Sequence, residues 1–320
     1  MPNVSTVRGF LLLGFSEVRE LRLVHAALFL LVYLAALTGN LLIVAVTVLD
    51  RRLRTPMYFF LGHLSVLDLC LVSVTVPKSV TISLTNNSSI SFPGCVAQLL
   101  LGTLFAAAEY FVLTAMSYDR YVAICLPLRY EVLMDRGACE KMAAASWLSG
   151  GLIGVLFSSF TFSLSFCGSN VIQQFFCDVS SLLKIACSEE HVAIDVSVAV
   201  AVALGILCFV SIVVSYARIF RAVLRMPAAE GRARAFSTCL PHLTIVIVVI
   251  LTAVTAYLKL PSDSSSTPDL LVSVFYIVVP PALNPLVYSL RNRDVKAAVG
   301  RVIKERFSHP FLWKKTVSLC

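Results

Sequence analysis

Seven long apolar stretches leave this chain few ways to fold. They run over residues 23–48, 57–79, 96–120, 141–164, 192–220, 237–260 and 269–290. Each approaches or exceeds the ~20 residues with which an α-helix crosses the hydrocarbon core of a bilayer. Backbone polar groups in lipid are satisfied only within helices or closed barrels. The two-residue alternation of barrel strands is missing from all seven, so the expected class is an all-α membrane protein, a seven-transmembrane helix bundle. With 58% of its 320 residues hydrophobic and 14% charged, the chain is too apolar for a soluble domain of its length. Twenty of the 26 Lys and Arg residues follow the first, third, fifth and seventh spans. The positive-inside rule therefore predicts an outer N-terminus and a cytosolic tail. The net charge of +8 reflects this asymmetry and requires no nucleic-acid partner.

Residues 1–22 are expected to form a short outer segment, 23–292 the membrane domain, and 293–320 a cytoplasmic tail. In that tail basic residues alternate with Val295, Val299, Val302, Ile303 and Phe307, a pattern suited to an amphipathic helix on the inner leaflet. Phe10 to Phe15 is too short for a cleavable signal peptide and no charged segment precedes it, so the first span would serve as an uncleaved anchor. The Asn3-Val4-Ser5 sequon is the expected glycosylation site, with Asn86 and Asn87 opening two more near the membrane surface.

Polar groups inside such spans are costly and therefore informative. Asp119 and Arg120 lie where the third span leaves the bilayer, within Met116-Ser117-Tyr118-Asp119-Arg120-Tyr121-Val122-Ala123-Ile124-Cys125. A lone interfacial Arg can simply snorkel to water. Asp68 in span two and Glu109 in span three sit at mid-membrane depth, Glu109 roughly 16 Å along the helix from Arg120 at 1.5 Å per residue. These two carboxyls either share a cation or a proton, or hydrogen-bond separately. Asn40 of Gly39-Asn40 is read as a hydrogen bond to a neighbouring helix. In span seven, Asn284-Pro285 frees a backbone carbonyl that a neighbour must satisfy. Pro241 is expected to kink the start of span six.

Cys95, Cys167, Cys177 and Cys187 lie on the outer side, where disulfides form, and four cysteines allow three pairings. Cys70, Cys125, Cys139, Cys208, Cys239 and Cys320 are expected to be free. Cys187-Ser188-Glu189-Glu190-His191 reads as a solvated acidic turn rather than a soft-metal site. No nucleophile elbow, phosphate loop or zinc spacing occurs, so an enzyme is not expected. A transporter would show two similar halves with matching interrupted helices, and the seven spans are unlike one another.

The motifs closely resemble those of vertebrate olfactory receptors, which are rhodopsin-like G-protein-coupled receptors. The resemblance rests on Phe10-Leu11-Leu12-Leu13-Gly14-Phe15-Ser16, Arg54-Thr55-Pro56-Met57-Tyr58-Phe59-Phe60-Leu61 and the Met116–Cys125 segment. It extends to Arg234-Ala235-Phe236-Ser237-Thr238-Cys239-Leu240-Pro241-His242-Leu243 and Pro280-Pro281-Ala282-Leu283-Asn284-Pro285-Leu286-Val287-Tyr288-Ser289-Leu290-Arg291-Asn292. One departure is Val249-Ile250-Leu251, where the family carries Phe-Tyr-Gly.

The resemblance implies disulfides Cys95–Cys177 and Cys167–Cys187, laying the loop between spans four and five over the bundle mouth. It favours a sodium ion at Asp68 and Glu109 and no other cofactor. Thr103, Ala106, Ala107, Tyr110, Val200, Leu204, Ala253, Val254, Tyr257, Ser273 and Ile277 are expected around a small neutral odorant, since Gly102 stands where amine receptors carry Asp. Activation would engage Asp119, Arg120, Tyr121, Tyr216, His242, Asn284, Pro285 and Tyr288, with span six swinging outward to admit a stimulatory heterotrimeric G protein. The expected function is thus an odorant receptor of the plasma membrane. The alternative is a receptor for a non-odorant ligand or a non-signalling surface binding partner.

Overall fold

The computed structural model describes residues 9–12, 18–85, 87–166, 170–187, 192–257, 277–288 and 295–301, with backbone only for 234 and 253–257. Among the described residues, six long helices are apolar enough to cross a membrane: α1 (Arg19–Leu49), α2 (Pro56–Thr85), α3 (Phe92–Cys125), α4 (Arg136–Phe162), α5 (Val192–Leu224) and α6 (Ala229–Tyr257). A shorter apolar helix, α7 (Ile277–Tyr288), falls within the expected seventh span; residues 269–276 and 289–290 lie outside the described residues. Local chemistry sets several helix starts. Pro56 opens α2, a first-turn position that needs no N–H donor. The Ser91 side chain accepts from Gly94 N to cap α3, and Asp135 accepts from Ala138 N at 2.8 Å to cap α4, each satisfying an orphan donor.

The helices outrun their apolar stretches. The expectation for Pro241 is corrected here: α6 begins at Ala229, so Pro241 falls inside the helix rather than at its start. Hydropathy sees only the part of a helix that lies in lipid. The Ala, Glu and Arg residues of the preceding turns are strong helix formers in water, and they carry α6 beyond the apolar run. In the same way α2 continues through Pro77 to Thr85.

α3 is the hub of the bundle, packed against α2, α4, α5 and α6, while α1 lies along α2. Its closest neighbour is α4, which presents the buried stripe Ala143, Ser146, Gly150, Gly154 and Ser158. A Cβ added at Gly150 would stand 2.6 Å from the Leu104 carbonyl oxygen, and one at Gly154 2.7 Å from that of Leu100. Small residues four apart let two backbones touch in lipid, where tight van der Waals packing replaces the hydrophobic effect between helices.

One end of the bundle carries a small three-stranded sheet, which the helical reading did not anticipate. β1 (Gly9–Leu12) lies between β2 (Ser89–Ser91), antiparallel, and β3 (Val171–Ile172), parallel. Phe10 and Leu12 alternate inward and are almost fully buried among Phe92, Phe166, Ile172 and Leu182. The Cys95–Cys177 disulfide ties the same end to α3. At the opposite end a helix at 295–301 buries Val295 and Ala298 in the main core. Arg301 Nε and Nη2 donate to Asp50 Oδ2 at 3.1 and 2.5 Å, fastening this helix to the connection between α1 and α2.

Candidate functional site

At the end of α3, Asp119 is completely buried and receives three hydrogen bonds. Arg120 Nε and Nη2 donate to Asp119 Oδ2 at 2.8 and 2.5 Å, and the Tyr130 hydroxyl donates to Oδ1 at 2.8 Å. Burial first, and then the Asp119 carboxylate, push the Tyr130 hydroxyl well above its ordinary pKa, so it stays protonated and remains a donor. A buried ion pair of this kind adds little net stability, but removing one partner strands the other. The arrangement holds Arg120 in one place. Beside it, Arg218 of α5 donates to the Tyr121 hydroxyl at 3.1 Å and lies 5.6 Å from the ring centroid.

A second link crosses three helices. His242, fully buried on α6, approaches the Leu113 carbonyl of α3 at 3.0 Å through Nε2 and the Tyr216 hydroxyl of α5 at 2.6 Å through Nδ1. A carbonyl only accepts, so Nε2 carries the proton and Nδ1 accepts from Tyr216. Both ring nitrogens are thereby used, and α3, α5 and α6 are joined at one imidazole.

Deeper in the bundle, the Asn284 amide of α7 donates to Asp68 Oδ2 at 2.8 Å and reaches Glu109 Oε1 at 3.5 Å. The two carboxyls singled out by sequence thus meet at one side chain. Asp68 Oδ1 and Asn284 Oδ1 are buried without a hydrogen-bond partner among the described residues. Pro285, having no N–H, frees the Pro281 carbonyl, and Asn40 of α1 donates to that carbonyl at 2.9 Å. The adjacent Gly39 makes the approach possible, since a Cβ there would stand 2.8 Å from Pro285 Cβ. The Tyr288 hydroxyl is buried and unpartnered among the described residues.

The family model for olfactory receptors matches residues 29–306. The chain belongs to the olfactory receptor family. Among curated human relatives, it is 55% identical to olfactory receptor 14A2 over 96% of this chain and 98% of that one. It is 52% identical to olfactory receptor 14K1, over 95% and 96% of the two chains, and 51% identical to olfactory receptor 14J1, over 95% of each. Membership makes it a multi-pass G-protein-coupled receptor of the plasma membrane rather than an enzyme.

Against this family frame, the expected ligand-contacting residues separate into groups. Thr103, Ala106, Ala107 and Tyr110 are half-buried on α3, and the Tyr110 hydroxyl donates to the Gly205 carbonyl of α5 at 3.3 Å. Leu204 is half-buried, whereas Val200 is exposed. Ile277 is buried in a different cluster, with Phe29, Val72, Val76, Phe175 and Phe176. The side chains of Ala253, Val254 and Tyr257, and all of Ser273, lie outside the described residues. So do Asn3, Cys167, Cys320 and 188–191. Cys187 is itself in a disulfide, which removes it as a thiolate metal ligand. Cys70, Cys125, Cys139, Cys208 and Cys239 are free.

The motifs did not reveal the Phe175–Phe176 pair, Gln98, Tyr130 or Arg218. Gln98 joins the lid to α2 through its amide, donating to Val74 O of α2 at 3.0 Å and accepting from Cys177 N of the lid at 2.9 Å. A polar side chain one helical turn from Cys95 was the available signal. For Phe175 and Phe176 it was the apolar pair beside Cys177.

Proposed function

We propose that this receptor binds small, neutral, hydrophobic odorants in the half of the bundle beneath the Cys95–Cys177 lid and signals through a stimulatory heterotrimeric G protein of the olfactory type. In this reading the lid, the N-terminus and Asn3 face outward and the Arg120 end faces the cytosol. Ligand contacts come from Thr103, Ala106, Ala107, Tyr110 and Leu204, together with Ala253, Val254, Tyr257 and Ser273. Binding acts by population shift, so the odorant must prefer the signalling state over the resting one. That state separates α6 from α3 and releases Arg120 from Asp119 and Tyr130 to receive the G protein, with Tyr121, Tyr216 and Tyr288 rearranging around it.

The single observation carrying this reading is the three-helix junction at His242. It ties α3, α5 and α6 at the same end as the buried Asp119–Arg120 pair, where outward movement of α6 would open a cleft. Asp68, Glu109 and Asn284 offer carboxylate and amide oxygens, a donor set suited to a hard cation, and the two unpartnered oxygens support sodium there. A bound sodium would supply positive charge between the two carboxyls. The second pairing, Cys167–Cys187, completes the lid.

The test is cyclic AMP in cells with confirmed surface display, across a panel of neutral volatiles. A dose-dependent rise that disappears in Arg120→Ala is expected. Full odorant-driven signalling by Arg120→Ala would remove the coupling role, and silence across the panel would favour a non-odorant ligand or a non-signalling binding role.

A further inference from the structure

Between α3, α4 and α5, on the outside of the bundle, lies a groove of about 360 Å³. On α3 it runs from Phe111 to Tyr118, which at 1.5 Å per residue places it roughly 3–14 Å along the helix from Arg120. Tyr118, Ala145 and Ser211 on its walls are exposed, so it opens sideways toward the bilayer. Seven hydroxyl residues line it: Thr114, Ser117, Tyr118, Ser146, Ser149, Ser211 and Ser215. Among the described residues, no charged side chain contributes to the lining.

Four of these hydroxyls have already committed their protons. Thr114 donates to Tyr110 O at 2.9 Å, Ser117 to Thr114 O at 2.7 Å, Ser146 to Met142 O at 2.9 Å and Ser211 to Leu207 O at 2.7 Å. Such bonds back to the helix's own carbonyls leave the oxygen lone pairs able to accept; those of the half-buried Thr114 and the exposed Ser211 border the groove, whereas Ser117 and Ser146 are buried behind it. In lipid there is no water to meet them. The groove therefore presents an excess of acceptors on an otherwise apolar wall, and its best occupant is neutral, apolar and carries a hydrogen-bond donor. Size narrows the choice. At about 30 Å³ per water-sized atom, the volume holds about a dozen non-hydrogen atoms, too few for a whole sterol.

We propose that this groove is a second binding site, taking a monohydric alcohol of about ten carbons from the membrane phase. The inference stands on the groove alone and does not depend on the signalling reading.

The test uses full-length receptor in phosphatidylcholine vesicles and a ten-carbon alcohol bearing a diazirine, with crosslinks mapped by mass spectrometry. Labelling is expected within 111–118, 142–149 and 211–215. Untagged decan-1-ol should displace it at least tenfold better than decane. Ala145→Phe, which fills the mouth of the groove, should reduce labelling about tenfold, whereas Leu148→Phe, on the exposed face of the same helix, should not. Thermal melting of both variants separates a filled groove from a misfolded receptor. Ser211→Phe supplies the same test from the other wall if Ala145→Phe melts early. Equal competition by decane would mean a mere acyl-chain groove and overturn the donor argument. Displacement by cholesterol but not by decan-1-ol would overturn the size argument. Labelling spread evenly over the exposed face of α1 would remove the site.

Discussion

Two adjacent glycines on α4 should respond in opposite directions to the same substitution. A Cβ at Gly150 would stand 2.6 Å from the Leu104 carbonyl oxygen and 2.9 Å from both the nitrogen and Cβ of Ala108, while at Gly151 the nearest atom is a flexible Leu104 methyl at 3.9 Å. Replacing Gly by Ala in a helix gains about 0.5–1 kcal/mol through chain entropy, and this gain cancels between the two sites. The difference left is the overpacking cost at Gly150, about 1–3 kcal/mol. At 1.4 kcal/mol per factor of ten, that is a roughly five- to 150-fold difference in the folded-to-unfolded ratio. Gly151→Ala should therefore melt at or slightly above the parent receptor, and Gly150→Ala clearly below both. Melting can be followed in detergent by a thiol-reactive dye that reaches the buried Cys139 and Cys239 only on unfolding. Adding Ala108→Gly to Gly150→Ala should recover part of the loss and no more, because the Leu104 carbonyl stays in place. Equal melting of the two single variants would refute the claim that α3 and α4 meet backbone to backbone at Gly150.

The His242 junction and the docking of the helix at 295–301 can each be perturbed separately. His242→Leu removes the acceptor of the Tyr216 hydroxyl, which keeps only a longer bond to the Cys239 carbonyl at 3.4 Å, and the side-chain donor to the Leu113 carbonyl, at about 1–3 kcal/mol in all. Because the lost bonds tie α6 to α3 and α5, basal cyclic AMP at matched surface level should rise several-fold, and an unchanged basal level would show that the junction restrains nothing. The Arg301 hydrogen bond, with the Arg52 backbone N–H behind it, holds the Asp50 carboxyl below the usual carboxylate range. A lowered folded-state pKa means that this stabilisation is fully present above the unfolded value of about 3.9 and is lost as pH falls through the lower folded value. Hydrogen-exchange protection of residues 295–301 should therefore persist from neutral pH down to about 4 and fall below it. Arg301→Gln should reduce protection throughout; protection indifferent to both changes would mean that Val295 and Ala298 alone dock this helix.

Much of the architecture was legible because lipid imposes a one-dimensional rule. A stretch long and apolar enough to cross the bilayer must be a helix, and α1 to α5 overlap their predicted spans along nearly their whole length. Chemistry confined to one or two residues was legible as well. The carbonyl freed by Pro285 and the need of Asn40 for a partner were both readable, and the structure joins one to the other. Helix ends were less so, since residues such as those preceding Pro241 continue a helix in water without any apolar signature. The extended cap was hidden for a different reason: Phe10 and Leu12 become an inward strand face only when 89–91 and 171–172 arrive from distant parts of the chain.

By itself, then, the sequence determined the solvent, the helical class and the inventory of costly polar groups, because each follows from local composition and from what a bilayer forbids. Which polar groups meet was decided only in three dimensions. Asp68 and Glu109 converge on Asn284, and His242 bridges Tyr216 and Leu113, only where α2, α3, α5, α6 and α7 come together; in the same way Gly39 lets α1 reach α7, and Gly150 and Gly154 let α4 reach α3. That closeness belongs to pairs of helices and has no signature in either one alone.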